Sequence, residues 1–223
     1  TYPQPWWING KGFMHLFTKY TAKDTHGREL YWSTSPDGKT WSADQKLAGI
    51  EGHYQISNAR NNKVVTAFNY HPDGHADKRT NIYVVQTIDM GENWTTVDGT
   101  QLTVPLTKPD NKALVYDYKS EGKLVYLNDM NFDKEGNPVV LAIVSNHFQP
   151  GPQGDPREWI IFHWKGNQWI NYTVCESTHN YDMGSLYIDG DNWKIIGPTG
   201  AGPQVYGTGG EMVLWESATE GKT

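Results

Sequence analysis

One short turn sequence occurs twice at the same place relative to a preceding strand, and it limits the possible folds more than anything else in the chain. Ser35-Pro36-Asp37-Gly38-Lys39-Thr40-Trp41 follows Tyr31 by four residues, and Thr87-Ile88-Asp89-Met90-Gly91-Glu92-Asn93-Trp94 follows Tyr83 by four. The second copy has one more residue between Asp and Trp. Each residue type has a physical reason to be there. The Asp oxygens accept turn N–H groups, Gly takes a φ that other residues resist, and Trp packs between sheets. A third, degenerate copy runs from Ser217 to Thr223, with Thr219 in the Asp place and no residue at the Trp place. A unit that recurs with its own strand and turn points to a repeat architecture.

The remaining residues agree. Runs rich in Val, Ile, Tyr, Trp, Phe and Thr span 13–20, 29–35, 64–70, 81–89, 124–128, 139–145, 159–164 and 211–217. Turn clusters punctuate them, such as Asn9-Gly10-Lys11-Gly12, Lys134-Glu135-Gly136-Asn137 and Asp189-Gly190-Asp191-Asn192. Nothing reads as a strong amphipathic helix, so the class is all-β. Ten Trp and thirteen Tyr exclude a disordered chain. The longest apolar run, Val139–Val144, is far short of the roughly 18 residues of a membrane span. A net charge of −6 gives no basic footprint for nucleic acid. The single cysteine, Cys175, forbids an internal disulfide and reads as a small buried hydrophobe. No cofactor or metal is expected.

The repeats predict one β-propeller domain over 1–223, built of four-stranded antiparallel blades. The first blade takes 1–50, with strands at Gln4–Ile8, Phe13–Tyr20 and Arg28–Ser35 and a short one after Trp41. The second takes 51–107, with strands at Gln55–Arg60, Val64–Tyr70, Thr80–Thr87 and Thr95–Val104. The third takes 108–176, with strands at Leu124–Asn128, Val139–Ser145, Glu158–Trp164 and Trp169–Val174. The fourth has Ser185–Ile188, Trp193–Ile196 and Glu211–Ser217. Three and a half blades lead to the expectation of part of a larger ring, with apolar sheet faces exposed on the first and last blades.

In such blades the repeated turn joins strands three and four, so a site is expected on the opposite rim. The loops there are 22–27, 51–54, 72–78, 148–156, 177–184 and 199–210, and they carry His26, His53, His75 and His179, with His71 and His147 at their margins. His53, His71, His179 and Tyr181 are the candidates for proton transfer, since a His with a Tyr can abstract and donate protons at a sugar. Tyr54, Tyr70, Arg79, Arg157, Asp182 and Glu211 are the candidates for substrate binding. Arg28, Arg79 and Arg157 each open the third strand of a blade, and three guanidinium groups in like positions could converge on one carboxylate. The competing reading is a local salt bridge for each, and it is the better one for Arg28. Asp182 and Glu211 have no spacing that makes them a hydrolytic pair. His71-Pro72-Asp73-Gly74-His75 reads as a solvated loop rather than a metal cluster. No phosphate-cradling loop, zinc signature or Gly-x-Ser-x-Gly elbow occurs.

Across nearly its whole length the chain resembles the bacterial-neuraminidase-repeat-containing proteins of polysaccharide-degrading bacteria. The residues that carry the resemblance are Tyr2-Pro3, the two Asp-centred turns, the Asp98-Gly99 and Pro105 that follow the second, the Asp133, Gly136 and Pro138 turn, and Gly209-Gly210-Glu211. In that family the turn is called the Asp-box, and it is structural. The resemblance implies a propeller, commonly with seven blades. Relatives include ulvan lyases, which use His, Tyr and Arg for β-elimination at a uronate, and propeller rhamnosidases acting next to glucuronate. Sialidases are more distant; their three-Arg clamp is similar to the arginines here, but their Tyr–Glu pair has no counterpart that can be assigned. The implied partner is a polysaccharide or oligosaccharide, and the implied location is secreted or periplasmic. Two function classes stay open: a lyase or glycosidase acting on a uronate-bearing glycan, and a non-catalytic propeller that binds glycan or protein.

Overall fold

The structure is a computed structural model that describes residues 2–20 and 27–221. The chain divides into two compact units, Thr1–Asp117 and Tyr118–Thr223. Each is a pair of antiparallel meanders, the blades of a β-propeller.

In the first unit, β1 (Gln4–Ile8), β2 (Gly12–Lys19), β3 (Glu29–Ser35) and β4 (Gln45–Ala48) form one sheet in chain order. The second sheet runs β5 (Gln55–Arg60), β6 (Lys63–Tyr70), β7 (Thr80–Thr87), β8 (Leu114–Tyr116). Alternation sets the faces: Met14 and Leu16 of β2 are buried, while Phe13, His15 and Phe17 between them are half-buried on the other side. Ile8, Met14, Leu16, Leu30 and Trp32 meet Val64, Phe68, Tyr83 and Val85 in one core.

The two Asp-centred turns occupy equivalent places, between the third and fourth strands of their sheets. Asp37 Oδ1 accepts the N–H groups of Thr40 and Lys39, both at 2.8 Å, and Ser35 Oγ accepts that of Gly38 at 2.9 Å. Those N–H groups hold the Asp37 carboxyl below the usual carboxylate range. Asp89 Oδ1 accepts the Asn93 N–H at 2.9 Å, and Thr87 Oγ1 that of Gly91 at 3.0 Å. The indoles differ. Trp94 is buried edge-on against Trp32 at 5.4 Å. Gly91, at φ +89°, makes this possible, since a Cβ there would stand 2.3 Å from Trp32 Nε1. Trp41 stays 38% exposed and rests on Phe13 and His15 of its own sheet. The expected packing between sheets therefore holds for Trp94 alone; the first turn, one residue shorter, sets its indole on the outer face.

A second expectation is also corrected: the fourth strand of the second sheet is β8, not Thr95–Val104. That stretch folds on itself around Asp98-Gly99, with Thr95 bridging only Gln86 and Gln101. Its continuation crosses to the first sheet, where Leu106 lies parallel to Ala48.

Replacing Asp89 with alanine leaves the Asn93 N–H without its acceptor. A loss of about 1 kcal/mol is expected, as for other side-chain caps of backbone N–H groups. A urea midpoint unchanged from wild type would show that Thr87 alone holds the turn.

In the second unit, β9 (Leu124–Phe132), β10 (Pro138–Ser145), β11 (Arg157–Lys165) and β12 (Gln168–Ser177) form a sheet in chain order. They are followed by the three-stranded sheet β13 (Ser185–Asp189), β14 (Asn192–Ala201), β15 (Thr208–Ser217). Every residue of β10 is buried, which explains its unbroken apolar run: a strand covered on both faces has no solvent side to alternate toward. Trp159 and Trp193 sit in the core with Leu141, Ile143, Ile161 and Ile195. Tyr187, Ile196, Met212 and Leu214 on the last sheet are exposed. Burial pushes the half-buried Cys175 thiol up to about 11, so it is inert as a nucleophile. Ser217 Oγ accepts the Gly221 N–H at 2.9 Å, as in the two full turns; Lys222 and Thr223 lie outside the described residues.

Candidate active site

Four chain segments of the first unit meet at one end of its strands. Arg28 precedes β3, the turn 51–54 leads into β5, β6 ends in Asn69-Tyr70 with His71 just after it, and Arg79 precedes β7. Tyr54 lies at the middle. Arg28 Nη2 donates to the Tyr54 hydroxyl at 3.2 Å, and its guanidinium lies 4.7 Å from that ring, 4.9 Å from Tyr2 and 5.4 Å from Tyr20. The Arg79 guanidinium lies 4.9 Å from the Tyr54 ring, and the His71 ring 4.8 Å from it. Tyr2 meets Tyr54 edge-on at 5.3 Å and is tied down where Gln55 Nε2 donates to its carbonyl at 3.1 Å.

The two arginines are held differently. Arg79 is 7% exposed, donates through Nε to the Ala76 carbonyl at 2.5 Å and has Asp77 at 3.8 Å. Among the described residues no carboxylate pairs with Arg28. Burial works against its charge, but the hydrogen bond to Tyr2 and the neighbouring Tyr54 and Tyr20 outweigh it, so its pKa lies above the ordinary arginine value. Aromatic faces stabilise the cation without neutralising it.

The two histidines are both neutral. His53 is wholly buried, which lowers its pKa to about 4. Its Nε2 accepts the Ile50 N–H at 3.0 Å, and its Nδ1 lies 2.8 Å from the Asn69 carbonyl oxygen. Both ring nitrogens thus serve the scaffold, so the proton-transfer role expected for His53 finds no open nitrogen. His71 is 2% exposed; burial, then His53, Arg79 and Arg28, bring its pKa down to about 2. Tyr70 lies in the apolar core rather than in the cluster.

In the second unit the expected residues hold loops. Arg157 is 1% exposed and donates to Asn180 Oδ1, to Asp155, and through Nη2 to the carbonyls of Gln149 at 3.1 Å and Gly151 at 2.7 Å. Nη1 and Nη2 close the 148–156 loop, and Nε ties it to Asn180. Asp182 is buried, and its Oδ2 accepts from Ser177 Oγ at 3.0 Å, from the His179 N–H at 2.8 Å and from Thr178 N–H and Oγ1. His179 Nδ1 accepts the Tyr181 N–H at 3.1 Å, and the two rings lie 5.8 Å apart, with Tyr181 exposed. Glu211 is exposed on β15 opposite Thr199.

Of the expected set, then, Tyr54, His71 and Arg79 come together in one unit, and His179, Tyr181, Asp182 and Arg157 in the other. Arg28, Tyr2, Tyr20 and Asn69 join the cluster without being expected there. The repeated Arg position marks the first of these in the sequence, but nothing local marks Asn69. Asp73 of the histidine loop is exposed and accepts from Lys78 Nζ at 2.6 Å. His26 lies outside the described residues. No helix among the described residues is long and apolar enough to cross a membrane.

Residues 1–177 match the BNR repeat-containing family. An ulvan lyase of Nonlabens ulvanivorans is 28% identical over 127 residues, covering 52% of this chain and 26% of that protein. An ulvan lyase of Alteromonas sp. (strain LOR) is 21% identical, covering 94% of this chain and 46% of that one. Among solved structures, a polysaccharide lyase described as an ulvan lyase bound to -[GlcA(1-4)Rha3S]- superposes with a TM-score of 0.76 at 17% identity, over 100% of this chain and 53% of that one. The chain spans about half the length of these relatives, or less.

Proposed function

We propose that this chain, which belongs to the BNR repeat-containing family, forms part of a carbohydrate-active propeller that cleaves a uronate-containing glycan by β-elimination, with Arg28, Tyr54, His71 and Arg79 as its working cluster. The observation that carries the reading is the Arg28 cation, which has tyrosines and no described carboxylate around it and donates to the Tyr54 hydroxyl above a neutral His71. The names of the curated relatives and the glucuronate-bearing ligand of the solved neighbour support the same substrate class.

In the proposed reaction the uronate carboxylate docks on Arg28, which withdraws charge from the ring and acidifies the C5 proton. His71, neutral at working pH, takes that proton. The C5–H electron pair becomes the C4=C5 double bond, the C4–O4 bond breaks, and its pair leaves on O4, which takes the Tyr54 hydroxyl proton. Arg28 supports the tyrosinate that remains. Among the described residues the cluster offers histidine, tyrosine and arginine, not the facing carboxylate pair that glycoside hydrolysis needs. A polymer substrate is met outside the cytoplasm, so a secreted or periplasmic location accompanies this reading. The second reading is a propeller that binds glycan without cutting it, and the exposed rings of Tyr2 and Tyr20 favour it as sugar platforms.

The test is turnover of the full-length protein on acidic and neutral polysaccharides, followed by the ultraviolet absorbance of an unsaturated uronate. Arg28→Ala should lower turnover on the acidic polymer about 10- to 100-fold, the worth of one charge-assisted contact, and leave the binding of neutral polymers unchanged. New reducing ends without unsaturation would replace the lyase by a hydrolase. Binding without any cleavage would leave the second reading.

A further inference from the structure

We infer that Asn69 is the positioning residue of this cluster: it pins opposite tautomers on His53 and His71 and leaves the lone pair of His71 on Nδ1, on the side of Gly52. The inference rests on reading His71 as the proton acceptor. Its structural half follows from donors and acceptors alone. The backbone N–H of Tyr54 donates to Asn69 Oδ1 at 2.9 Å. An amide nitrogen could not accept there, so this atom is the oxygen. An amide oxygen only accepts, so His71 Nε2, 3.0 Å away, must carry a hydrogen. A neutral imidazole has one N–H, and the lone pair of His71 therefore lies on Nδ1.

His53 is the mirror case. Ile50 N–H donates to its Nε2 at 3.0 Å, so the lone pair is there and the hydrogen is on Nδ1, which donates to the Asn69 carbonyl at 2.8 Å. One wholly buried asparagine thus receives an imidazole on each of its two oxygens. The backbone of Gly52 packs closely against the Nδ1 flank, with no room for a side chain. Gly52 has φ +154°, and a Cβ on it would stand 3.0 Å from His71 Nδ1 and 3.1 Å from Gly27 Cα. Without the Asn69 oxygen nothing in this set of bonds chooses between the two nitrogens of His71, and the fraction of molecules with the basic atom in place falls. A tautomer fixed by the partner of the other nitrogen is a general device of histidine chemistry.

The test uses long-range proton–nitrogen correlation spectra of the histidine-labelled protein at neutral pH. The expected result is an Nε2–H tautomer for His71 and an Nδ1–H tautomer for His53. Asn69→Leu should mix the His71 tautomers and lower kcat about 100-fold, within the range of a lost acid–base contribution, with KM unchanged. Asn69→Asp, which keeps an acceptor oxygen for both Tyr54 and His71, should hold the Nε2–H tautomer and recover kcat relative to Asn69→Leu. An Nδ1–H signal from His71 in the wild type overturns the inference, and so does an Asn69→Leu spectrum identical to wild type. If the tautomers behave as expected and no acidic polysaccharide is cleaved, the positioning stands and the lyase reading is what fails.

Discussion

Lowering the pH from 7 to about 4.5 is expected to cost the first unit about 5 kcal/mol of folding stability. His53 and His71 are buried as neutral rings, with pKa values brought down to about 4 and about 2. In the unfolded chain both return to about 6.5. Below that pH the unfolded state takes up two protons that the folded state refuses, so stability falls as pH falls. Each group contributes about 1.4 kcal/mol per pH unit. For His53 the loss runs from about pH 6.5 down to about 4, and for His71 it continues further. Two groups over about two units give the stated figure, a large part of the roughly 5–15 kcal/mol that holds a typical domain. Urea midpoints at several pH values, with amide exchange of β6 and β7 as the local probe, measure it. His71→Asn should flatten the slope by about half, because one of the two protons is then gone. A midpoint that does not move between pH 7 and 5 would mean that both rings take up protons in the folded state.

That acid sensitivity is the counterpart of the proposed chemistry. Burial first, then His53, Arg79 and last Arg28, keep His71 unprotonated. A base held so low is weak, but the part of that depression due to Arg28 comes from a charge that a substrate carboxylate would neutralise. Docking of a uronate on Arg28 would therefore raise the proton affinity of His71 at the moment the C5 proton has to be taken.

The strands and the turns could be read from the sequence because both are local. Runs of β-branched and aromatic residues placed β2 and β6, and the Asp, Gly and hydroxyl residues of 35–38 and 87–91 specify their own hydrogen bonds within the turn. What could not be read depends on partners distant in sequence. Whether a turn indole is buried depends on what stands opposite: Trp32 receives Trp94, while Trp41 finds only Phe13 and His15. Thr95–Val104 has strand-like composition, but Asp98-Gly99 turns it back before it can pair along its length. The repeated arginines were visible, and their roles were not. Arg157 is enclosed by Asn180, Asp155 and two carbonyls, whereas Arg28, expected in a salt bridge, is ringed by tyrosines from three segments. No spacing rule separates those outcomes, because each is decided by which side chains the neighbouring loops bring up. Asn69 is the extreme case: a strand residue whose proposed importance lies in the two rings and the Tyr54 N–H that converge on it.

Replacing Tyr54 with phenylalanine should cost the greatest part of the activity and little of the fold. The ring is what packs: it meets Tyr2, His71 and both guanidinium groups through its face and edges, and phenylalanine keeps all of those contacts. In the proposed reaction the hydroxyl is the group that gives up its proton. It accepts from Arg28 Nη2 at 3.2 Å, which turns its own proton away from Arg28 and makes the phenolate tolerable once that proton is given up. In β-elimination the departing O4 needs that proton, so Tyr54→Phe should lower kcat by about 10²- to 10⁴-fold, the usual worth of a positioned acid. KM on an acidic polysaccharide should move much less, because the proposed carboxylate contact lies with Arg28. His71→Ala should fall in the same range, and the double variant should lose little more than either single one, since an acid and a base serving one elimination act as a unit. The measurement is the initial rate of ultraviolet absorbance at saturating polymer, set beside a urea midpoint within about 1 kcal/mol of wild type. A Tyr54→Phe variant that keeps its rate would move the acid to Tyr2 or Tyr20, the other rings around Arg28. Losses that simply add in the double variant would mean that the two residues act in separate steps, and the concerted assignment of acid to Tyr54 and base to His71 would have to be given up.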